Sequence, residues 1–371
     1  MSAKKSSSAA QSSALHKALK SSLSASILPG ETPLEKSALE SAARFLLEAA
    51  QKRAPSRSVI TQESDTSERR LRIAIINDDM PFLVDSIAAT ITANGLSIDQ
   101  LLHPIAQVTR DKSGVLTAIG GKDQNAKKES LIYIETPRVD ARQRRSLLSD
   151  LRKTLEDVRA AVNDWPQMRD AMANDAERLG DNESAKLLDW LNRDMLTQLG
   201  SLIRTREGEV TDSLGICRKS AKSILADTSY ELAFEWFEEG GPERHLLAVK
   251  ANQVSNVHRR VPLDVFLVPI REGSKVTALC VHAGVWTSAA LTTPPASVPA
   301  VRKTLAGMTD RLGIDLKGHA GKALTHAFSA LPSDLLVTFQ EEDTARLATA
   351  MMSLVDRPRP RVILVKSPLG R

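Results

Sequence analysis

One polar turn in the sequence carries the groups needed to bind a free amino acid. Where a strand passes into a helix, backbone N–H groups and the positive end of the helix dipole can bind a carboxylate. A carboxylate of Asp78 or Asp79 can bind an ammonium group. The competing interpretation is that one of these aspartates only caps the helix that follows. The candidate ligand residues are Asn77, Asp78, Asp79, Met80 and Phe82.

A basic triplet, His258, Arg259 and Arg260, is a second candidate, for an anion. Its competing interpretation is a polar strand edge in solvent, because basic solvated faces are common. His319 and His326 lie seven residues apart and would share a helix face. No cysteine or carboxylate joins them there, so no metal site is predicted.

The sequence contains none of the motifs that build a catalytic or cofactor site. A dinucleotide-binding fold needs G-x-G-x-x-G so that backbone N–H groups can approach the pyrophosphate, and no G-x-G occurs here. Gly313 and Gly318 have the spacing of a P-loop, but His319 stands where lysine is required. H-E-x-x-H and G-x-S-x-G are absent as well. We therefore expect no catalytic residue and no cofactor in this chain.

The positive charge lies at the two ends of the sequence. The net charge is +5, yet residues 1–30 hold four lysines and no acid, and residues 356–371 are also basic, so the remainder is mildly acidic. A nucleic-acid-binding domain should instead cluster its basic residues on a folded face, so no nucleic-acid partner is predicted. No apolar run approaches the ~20 residues that span a bilayer, so no membrane partner is predicted. Two distant cysteines suit a reducing, cytoplasmic location.

The first 32 residues are predicted to form a flexible basic tail. They are rich in Ser, Ala and Lys, and Leu15, Leu19 and Leu23 fall on one helical face. This composition also resembles a mitochondrial transit peptide, but it lacks arginine. We therefore favour a tail that ends in a short amphipathic helix.

The rest of the chain predicts an α+β protein of several parts. Residues 33–69 read as a helix and a polar linker, and residues 70–165 as strand, helix, two or three strands and helix. That order is typical of helices covering one face of a mainly antiparallel sheet. Residues 166–200 are predicted to be a helical connector, and residues 201–300 a second α+β domain. Residues 301–371 are mainly helical and end in a strand pattern at 361–366, which predicts the start of a truncated third domain.

Several short motifs resemble the N-terminal part of one enzyme family. Residues 77–86 resemble the turn and helix start of the first ACT-type domain in the large bacterial NAD-specific glutamate dehydrogenases. Two motifs depart from the family pattern, at Met195–Gly200 and at Pro332–Val337. Other matches follow in order, within roughly residues 34–371: His103-Pro104, Arg110-Asp111, Glu129–Ile132, Asp157–Arg159, Val162–Trp165, Leu188–Leu191, Lys250–Asn252, Val257–Arg259, Leu263-Asp264, Ile314-Asp315 and His319–Leu324.

The resemblance implies an ACT-like (ferredoxin-like) sandwich, a second ACT- or PAS-like module and part of a third. It implies that the whole protein oxidises L-glutamate to 2-oxoglutarate and ammonia with NAD. This chain would then be a regulatory or oligomerisation region without the catalytic domain, which would be joined in cis or in trans. A homo-oligomer, allosteric regulation and an amino-acid effector are also implied. Family signatures often place Gly after Pro at the turn, whereas Phe82 stands here and narrows the pocket. The alternative is a stand-alone amino-acid-sensing or scaffold protein.

Overall fold

The computed structural model describes residues 2–27, 34–65, 68–121, 124–354, 360, 362–365 and 367–369. These residues divide into two units. Unit 1 contains residues 1–158 together with the segment Asn256–Arg259, and unit 2 contains residues 159–255 and 260–371. Each unit is built around its own antiparallel sheet.

Unit 1 is a six-stranded sheet with helices. The strand order is β1-β2-β6-β4-β5, and β3 pairs with β6 beyond the end of β4. Every strand pair is antiparallel. The α+β class and the antiparallel sheet that the sequence predicts are therefore confirmed. The elements are α1 (Ser2–Ala25), α2 (Lys36–Ala50), β1 (Val59–Asp65), β2 (Arg70–Asp78), α3 (Leu83–Ala93), β3 (Gln100–Leu102), β4 (Ile105–Arg110), β5 (Leu116–Ile119), β6 (Lys127–Pro137) and the first part of α4 (Ala141–Leu179).

Both faces of the unit 1 sheet are buried. Ala74 and Ile76 of β2 pack with residues of α1 and α2 on one face. The alternate residues Ile73 and Ile75 point to the opposite face, because side chains alternate along a strand, and they are fully buried too. The prediction that helices cover only one face is therefore wrong. The additional cover comes from the N-terminal helices, which the sequence pattern placed outside the domain.

The region predicted as a flexible basic tail contains the helix α1. Leu15, Leu19 and Leu23 recur every four residues, so they form one stripe, and this stripe is buried against α2. The predicted linker at 54–69 also contains a regular element, β1, which pairs along β2. Its residues after Ile60 are polar, and an edge strand of that composition is difficult to distinguish from a linker.

Unit 2 is a five-stranded antiparallel sheet of order β8-β7-β11-β10-β9 with helices packed against it. Apart from the segment Asn256–Arg259, the predicted connector, second domain and C-terminal segment all belong to this one unit. Its elements are the second part of α4, α5 (Glu183–Trp190), β7 (Leu196–Thr205), β8 (Val210–Gly215), α6 (Asp227–Glu239), β9 (Leu247–Val254), β10 (Pro262–Glu272), β11 (Lys275–Trp286), α7 (Ser288–Thr292), α8 (Val301–Leu312), α9 (His319–Ser329), α10 (Ser333–Leu336) and α11 (Glu341–Met352).

The secondary structure of unit 2 differs from the predicted one at three places. The helix predicted to end at Gly200 ends before β7, because Asp194 has a left-handed φ of 62° that terminates the helical path. Leu196 and Leu199 therefore lie in a strand. The helix α6 had no predicted counterpart. Of the strand predicted at 361–366, Arg361 and Lys366 lie outside the described residues, and residues 362–365 form no strand.

The C-terminal helices pack on the unit 2 sheet. Phe266 and Val268 of β10 share a buried cluster with Leu305 of α8 and with Leu324 and Phe328 of α9. Lys250 of β9 adds a polar tie, because its Nζ lies 2.5 Å from a carboxylate oxygen of Asp264 and 2.5 Å from one of Asp334. Burial alone would lower the pKa of Lys250, but these two carboxylates raise it. The helices after residue 300 therefore belong to the same core as the sheet.

Candidate functional site

The candidate ligand turn lies where β2 ends and α3 begins. Asp79 continues the ladder by one bond, its N–H donating to the carbonyl of Lys128 at 3.1 Å. Phe82 then takes a left-handed φ of 69° and is the residue that precedes the first turn of α3. No side chain caps this helix, so the prediction of an aspartate cap is wrong. The left-handed residue, rather than a capping aspartate, is what turns the chain from strand to helix.

The predicted ligand side chains are held by groups of the protein itself. Asn77 is fully buried, and its amide donates to the carbonyl of Asp78 at 3.1 Å. The carboxylate of Asp78 accepts from Arg53 at 2.7 Å. The carboxylate of Asp79 accepts from the hydroxyl of Ser130 at 2.9 Å. Met80 and Phe82 are half-buried. The structure therefore brings the five residues together, with the polar side chains directed to protein partners.

Beside the turn lies a buried ion network. Arg53 is 4% exposed and donates to both Asp78 and Glu129, and Glu129 is only 2% exposed. Arg110 donates to the two carboxylate oxygens of Glu129 at 2.8 Å each, which is the bidentate geometry typical of strong Arg–carboxylate pairs. Burial alone would lower the pKa of Arg53, but the hydrogen bonds and charges of the two carboxylates raise it. Two guanidinium groups and two carboxylates thus neutralise one another.

A short hydrogen-bonded chain joins His103 to the turn. A ring nitrogen of His103, Nε2, lies 3.0 Å from the Ser130 hydroxyl, which in turn donates to Asp79. Burial lowers the pKa of His103, and the negative charge of Asp79 opposes this only in part. The imidazole is therefore held largely neutral near pH 7. Because the single proton of the Ser130 hydroxyl goes to Asp79, the neutral ring donates its Nε2–H to Ser130.

The basic triplet is divided between the two units. His258 and Arg259 belong to the segment counted with unit 1, whereas Arg260 belongs to unit 2. The backbone N–H of His258 donates to the hydroxyl of Ser86 at 2.8 Å, and its ring lies 3.1 Å from the carboxylate of Asp85. The His258 ring also packs on Phe82, with centroids 5.1 Å apart. The segment Asn256–Arg259 therefore contacts the first turn of α3, and the carboxylate next to His258 is one of the protein's own.

Sequence motifs that are far apart in the chain meet at this turn. His103, Arg110, Glu129 and Ser130 all belong to motifs that the resemblance identified, and hydrogen bonds and ion pairs connect each of them to the turn. Arg53 belongs to none of those motifs, although it makes the central ion pairs. It is the last residue of the helix predicted at 33–53 and precedes Ala54-Pro55, a context that gives no signal of burial.

The described residues contain neither a metal-binding cluster nor an ionised thiol. They include no group of three or more His, Cys, Asp or Glu side chains able to hold a metal ion. Burial raises the pKa of both Cys217 and Cys280 to about 12, so neither thiol is ionised near pH 7. Gly313 and Gly318 connect α8 to α9, whereas a P-loop connects a strand to a helix.

Within the residues that the structure describes, no helix has both the length and the apolar character needed to cross a membrane.

Comparisons with known proteins agree with the motif resemblance. Residues 32–151 match the family model of the glutamate dehydrogenase ACT1 domain, and residues 298–357 match that of glutamate dehydrogenase helical motif 1. The NAD-specific glutamate dehydrogenase of Pseudomonas aeruginosa is 28% identical over 328 residues, which cover 81% of this chain and 20% of that protein. The NAD-specific glutamate dehydrogenase of Halomonas elongata is 25% identical over 324 residues, with the same coverage. The chain spans about a fifth of the length of these relatives. The resemblance to the N-terminal region of that family is confirmed.

Proposed function

We propose that this chain is the regulatory and assembly region of an NAD-dependent glutamate dehydrogenase. Its matches to the family models of the glutamate dehydrogenase ACT1 domain and helical motif 1 support this proposal. The whole protein would oxidise L-glutamate to 2-oxoglutarate and ammonia with NAD. The catalytic domain would lie in another part, joined in cis or in trans. The observation that carries this proposal is that motifs resembling the family converge on the β2–α3 turn without forming a catalytic grouping.

The regulatory part of the proposal places an amino-acid effector at this turn. The first bond of α3 back to the turn runs from the N–H of Ser86 to the carbonyl of Phe82. The N–H groups of residues 83–85 precede that bond and are the donors that a helix start offers to a carboxylate. Phe82 flanks them and restricts the space. A small effector carboxylate would therefore bind backbone groups, whereas Asp78 and Asp79 would keep the turn rigid through their protein partners.

The enzymatic part is tested with the chain alone and with a dehydrogenase present. The purified chain, given L-glutamate and NAD, should produce no NADH absorbance at 340 nm, and measurable turnover would overturn the assignment of a non-catalytic region. In the second arm, the chain is added to an extract of host cells from which its gene has been deleted. Its return should change the rate of glutamate-dependent NAD reduction or the response of that rate to amino acids. An unchanged rate and response would contradict a regulatory role exerted in trans.

The assembly part predicts a homo-oligomer. Light scattering coupled to size-exclusion chromatography measures the mass of the purified chain in solution. The expected mass is at least twice the 40.4 kDa of one chain. A strictly monomeric chain that also fails to associate with a dehydrogenase portion would contradict the assembly role.

A second candidate function is a stand-alone amino-acid-sensing or scaffold protein. The donor-rich start of α3 is the feature that favours it, because binding there requires no further domain. This candidate predicts that one amino acid raises the melting temperature of the chain while glutamate-dependent NAD reduction in the host extract stays independent of it. The same pair of measurements therefore separates the two candidates.

A further inference from the structure

A charged cleft lies at the end of unit 1 opposite to the β2–α3 turn. It has a volume of about 520 Å³, which is within the usual range for sites of small ligands. The first turn of α2 lies on one side of it, and the start of β2 with residues of β6 on the other. Arg70 is eight residues from Asp78 along β2, so the two ends of this strand are roughly 26 Å apart. The cleft is thus separate from the turn.

The cleft arises because one face of the sheet changes from apolar to charged. Ala74 of β2 packs under α1 and α2, and Arg72 and Arg70 continue the same face toward the start of the strand. Arg72 pairs across the strands with Glu135 of β6, and Ala74 with Tyr133. The apolar layer beneath α2 therefore ends at Tyr133, and charged side chains take its place at the end of the sheet.

Hydrogen bonds hold the inner wall of the cleft rigid. Both carboxylate oxygens of Glu135 accept a bond of 2.6 Å, one from the hydroxyl of Tyr133 and one from Arg70. Arg72 donates to the hydroxyl of Ser41 on α2 at 2.7 Å and lies 3.0 Å from Glu63. A binding wall whose rotamers are fixed by such contacts loses little entropy when a ligand arrives.

The lining of the cleft carries an excess of negative charge. Four carboxylates and two guanidinium groups line the cleft: Glu35, Asp65, Glu68, Glu135, Arg70 and Arg72. Glu68 is 55% exposed and forms an ion pair with Arg70, whose side chain is itself 40% exposed. This lining therefore favours a cation. A carboxylate is favoured by Arg70 and by the start of α2 at Ser37 and Ala38, because Glu35 makes no side-chain cap there.

We infer that this cleft binds a free amino acid with a basic side chain. The carboxylate of the ligand would lie between Arg70 and the first turn of α2. The positively charged groups of the ligand would contact Glu68 and the other carboxylates of the lining. The net negative charge of the lining sets an order of affinity, with lysine and arginine above neutral amino acids and with glutamate and aspartate last. This site does not depend on the dehydrogenase assignment, because its binding is a property of the chain alone.

The test is isothermal titration of the full chain with L-lysine, L-arginine and L-glutamate. Cadaverine, which lacks the carboxylate of lysine, and 6-aminohexanoate, which lacks its α-amino group, serve as probes of each half. We expect saturable binding of lysine or arginine, and binding at least tenfold weaker for glutamate and for both probes, since each loses a charged contact. Absence of binding by lysine and arginine, or preference for glutamate, would overturn the inference.

Variants locate the binding. Glu68→Gln and Arg70→Gln should each weaken lysine or arginine binding about tenfold. Glu48→Gln, an exposed change on α2 away from the cleft, should leave it unchanged. Arg70 also bonds the buried Glu135, so Arg70→Gln can disturb folding, whereas the exposed Glu68 keeps the test decisive. Loss of binding in Asp79→Asn but not in Glu68→Gln would assign the ligand to the turn and refute the cleft.

Discussion

The two ends of β2 use charged residues in opposite ways. At the Asp78 end, two arginines and two carboxylates are enclosed, with Arg53 and Glu129 almost fully buried. At the Arg70 end, arginines and an excess of carboxylates surround an open space of about 520 Å³. The same strand thus ends in a closed ion network and in an accessible charged cleft. At the closed end the positive and negative charges are equal in number and buried, so this cluster supports the fold. At the open end negative charges are in excess and exposed, so this cluster is available to a ligand.

The largest expected effect comes from breaking the closed end. Glu129→Gln keeps the size of the side chain but leaves Arg53 and Arg110 with the single charge of Asp78. Removing one partner from a buried ion pair costs about 3–5 kcal/mol, because the remaining charge is buried without compensation. We expect the free energy of opening of β2 and β6 to fall by that amount, as measured by amide hydrogen exchange on their peptides.

The tryptophans supply an internal control for this variant. All four of them, Trp165, Trp190, Trp236 and Trp286, lie in unit 2. Denaturation followed by tryptophan fluorescence should therefore change little in Glu129→Gln. A loss of less than about 1 kcal/mol in β2 and β6 would place the network with ordinary surface pairs and remove the contrast between the two ends.

The sequence predicted one end of β2 far better than the other. The strand, the turn and the helix to Asn94 were predictable because an apolar run, a polar cluster and helical spacing follow each other without interruption. His103, Arg110 and Glu129 were visible as motifs, but their convergence depends on the pairing of β4 and β6 with β2, which no local pattern encodes. Arg53 gave no signal because its burial follows from tertiary packing alone.

The cleft could not be predicted for a related reason. It is formed by α2, β2 and β6 together, and β1, whose end contributes Asp65, reads as a linker. Arg70 and Arg72 alternate with apolar residues, which indicates a half-exposed strand and says nothing of what lies opposite. The helix α1 was predicted only as a short amphipathic end of a flexible tail, because its Ser- and Lys-rich composition outweighed the single stripe of leucines.

A smaller effect at the closed end is expected from Ser130→Ala. Ser130 is fully buried, and its hydroxyl donates to Asp79 and contacts His103. Its removal leaves both groups short of a partner, which costs about 1–3 kcal/mol. Hydrogen exchange on β6 measures this loss. Ser113→Ala, whose hydroxyl bonds only an exposed aspartate, is the matched control. Equal effects of the two changes would show that the chain from His103 to Asp79 contributes nothing specific.

Acidification should weaken the closed end through His103. Burial lowers the pKa of the folded-state imidazole below its ordinary 6.5, so the unfolded chain takes up the proton first as the pH falls. Stability is therefore present above about pH 6.5 and declines below it. The melting temperature should fall between about pH 7.5 and about pH 5.5, and it should fall less in His103→Gln. His326→Gln, an exposed change in unit 2, should melt like the unaltered chain at both pH values.

The smallest expected effect belongs to the open end. Glu68→Gln removes the carboxylate from an ion pair of 2.6 Å with Arg70, but Glu68 is 55% exposed, and exposed pairs contribute about 0–1 kcal/mol. Hydrogen exchange on β2 should therefore change by no more than about 0.5 kcal/mol, whereas Glu129→Gln affects the same strand severely. A large loss of stability in Glu68→Gln would mean that the charges of the cleft stabilise the fold, as the closed network does. The contrast between the two ends of β2 would then be wrong. Near-zero stability change together with weaker lysine or arginine binding separates the two uses of charge, because the same substitution would then alter a ligand contact without altering the fold.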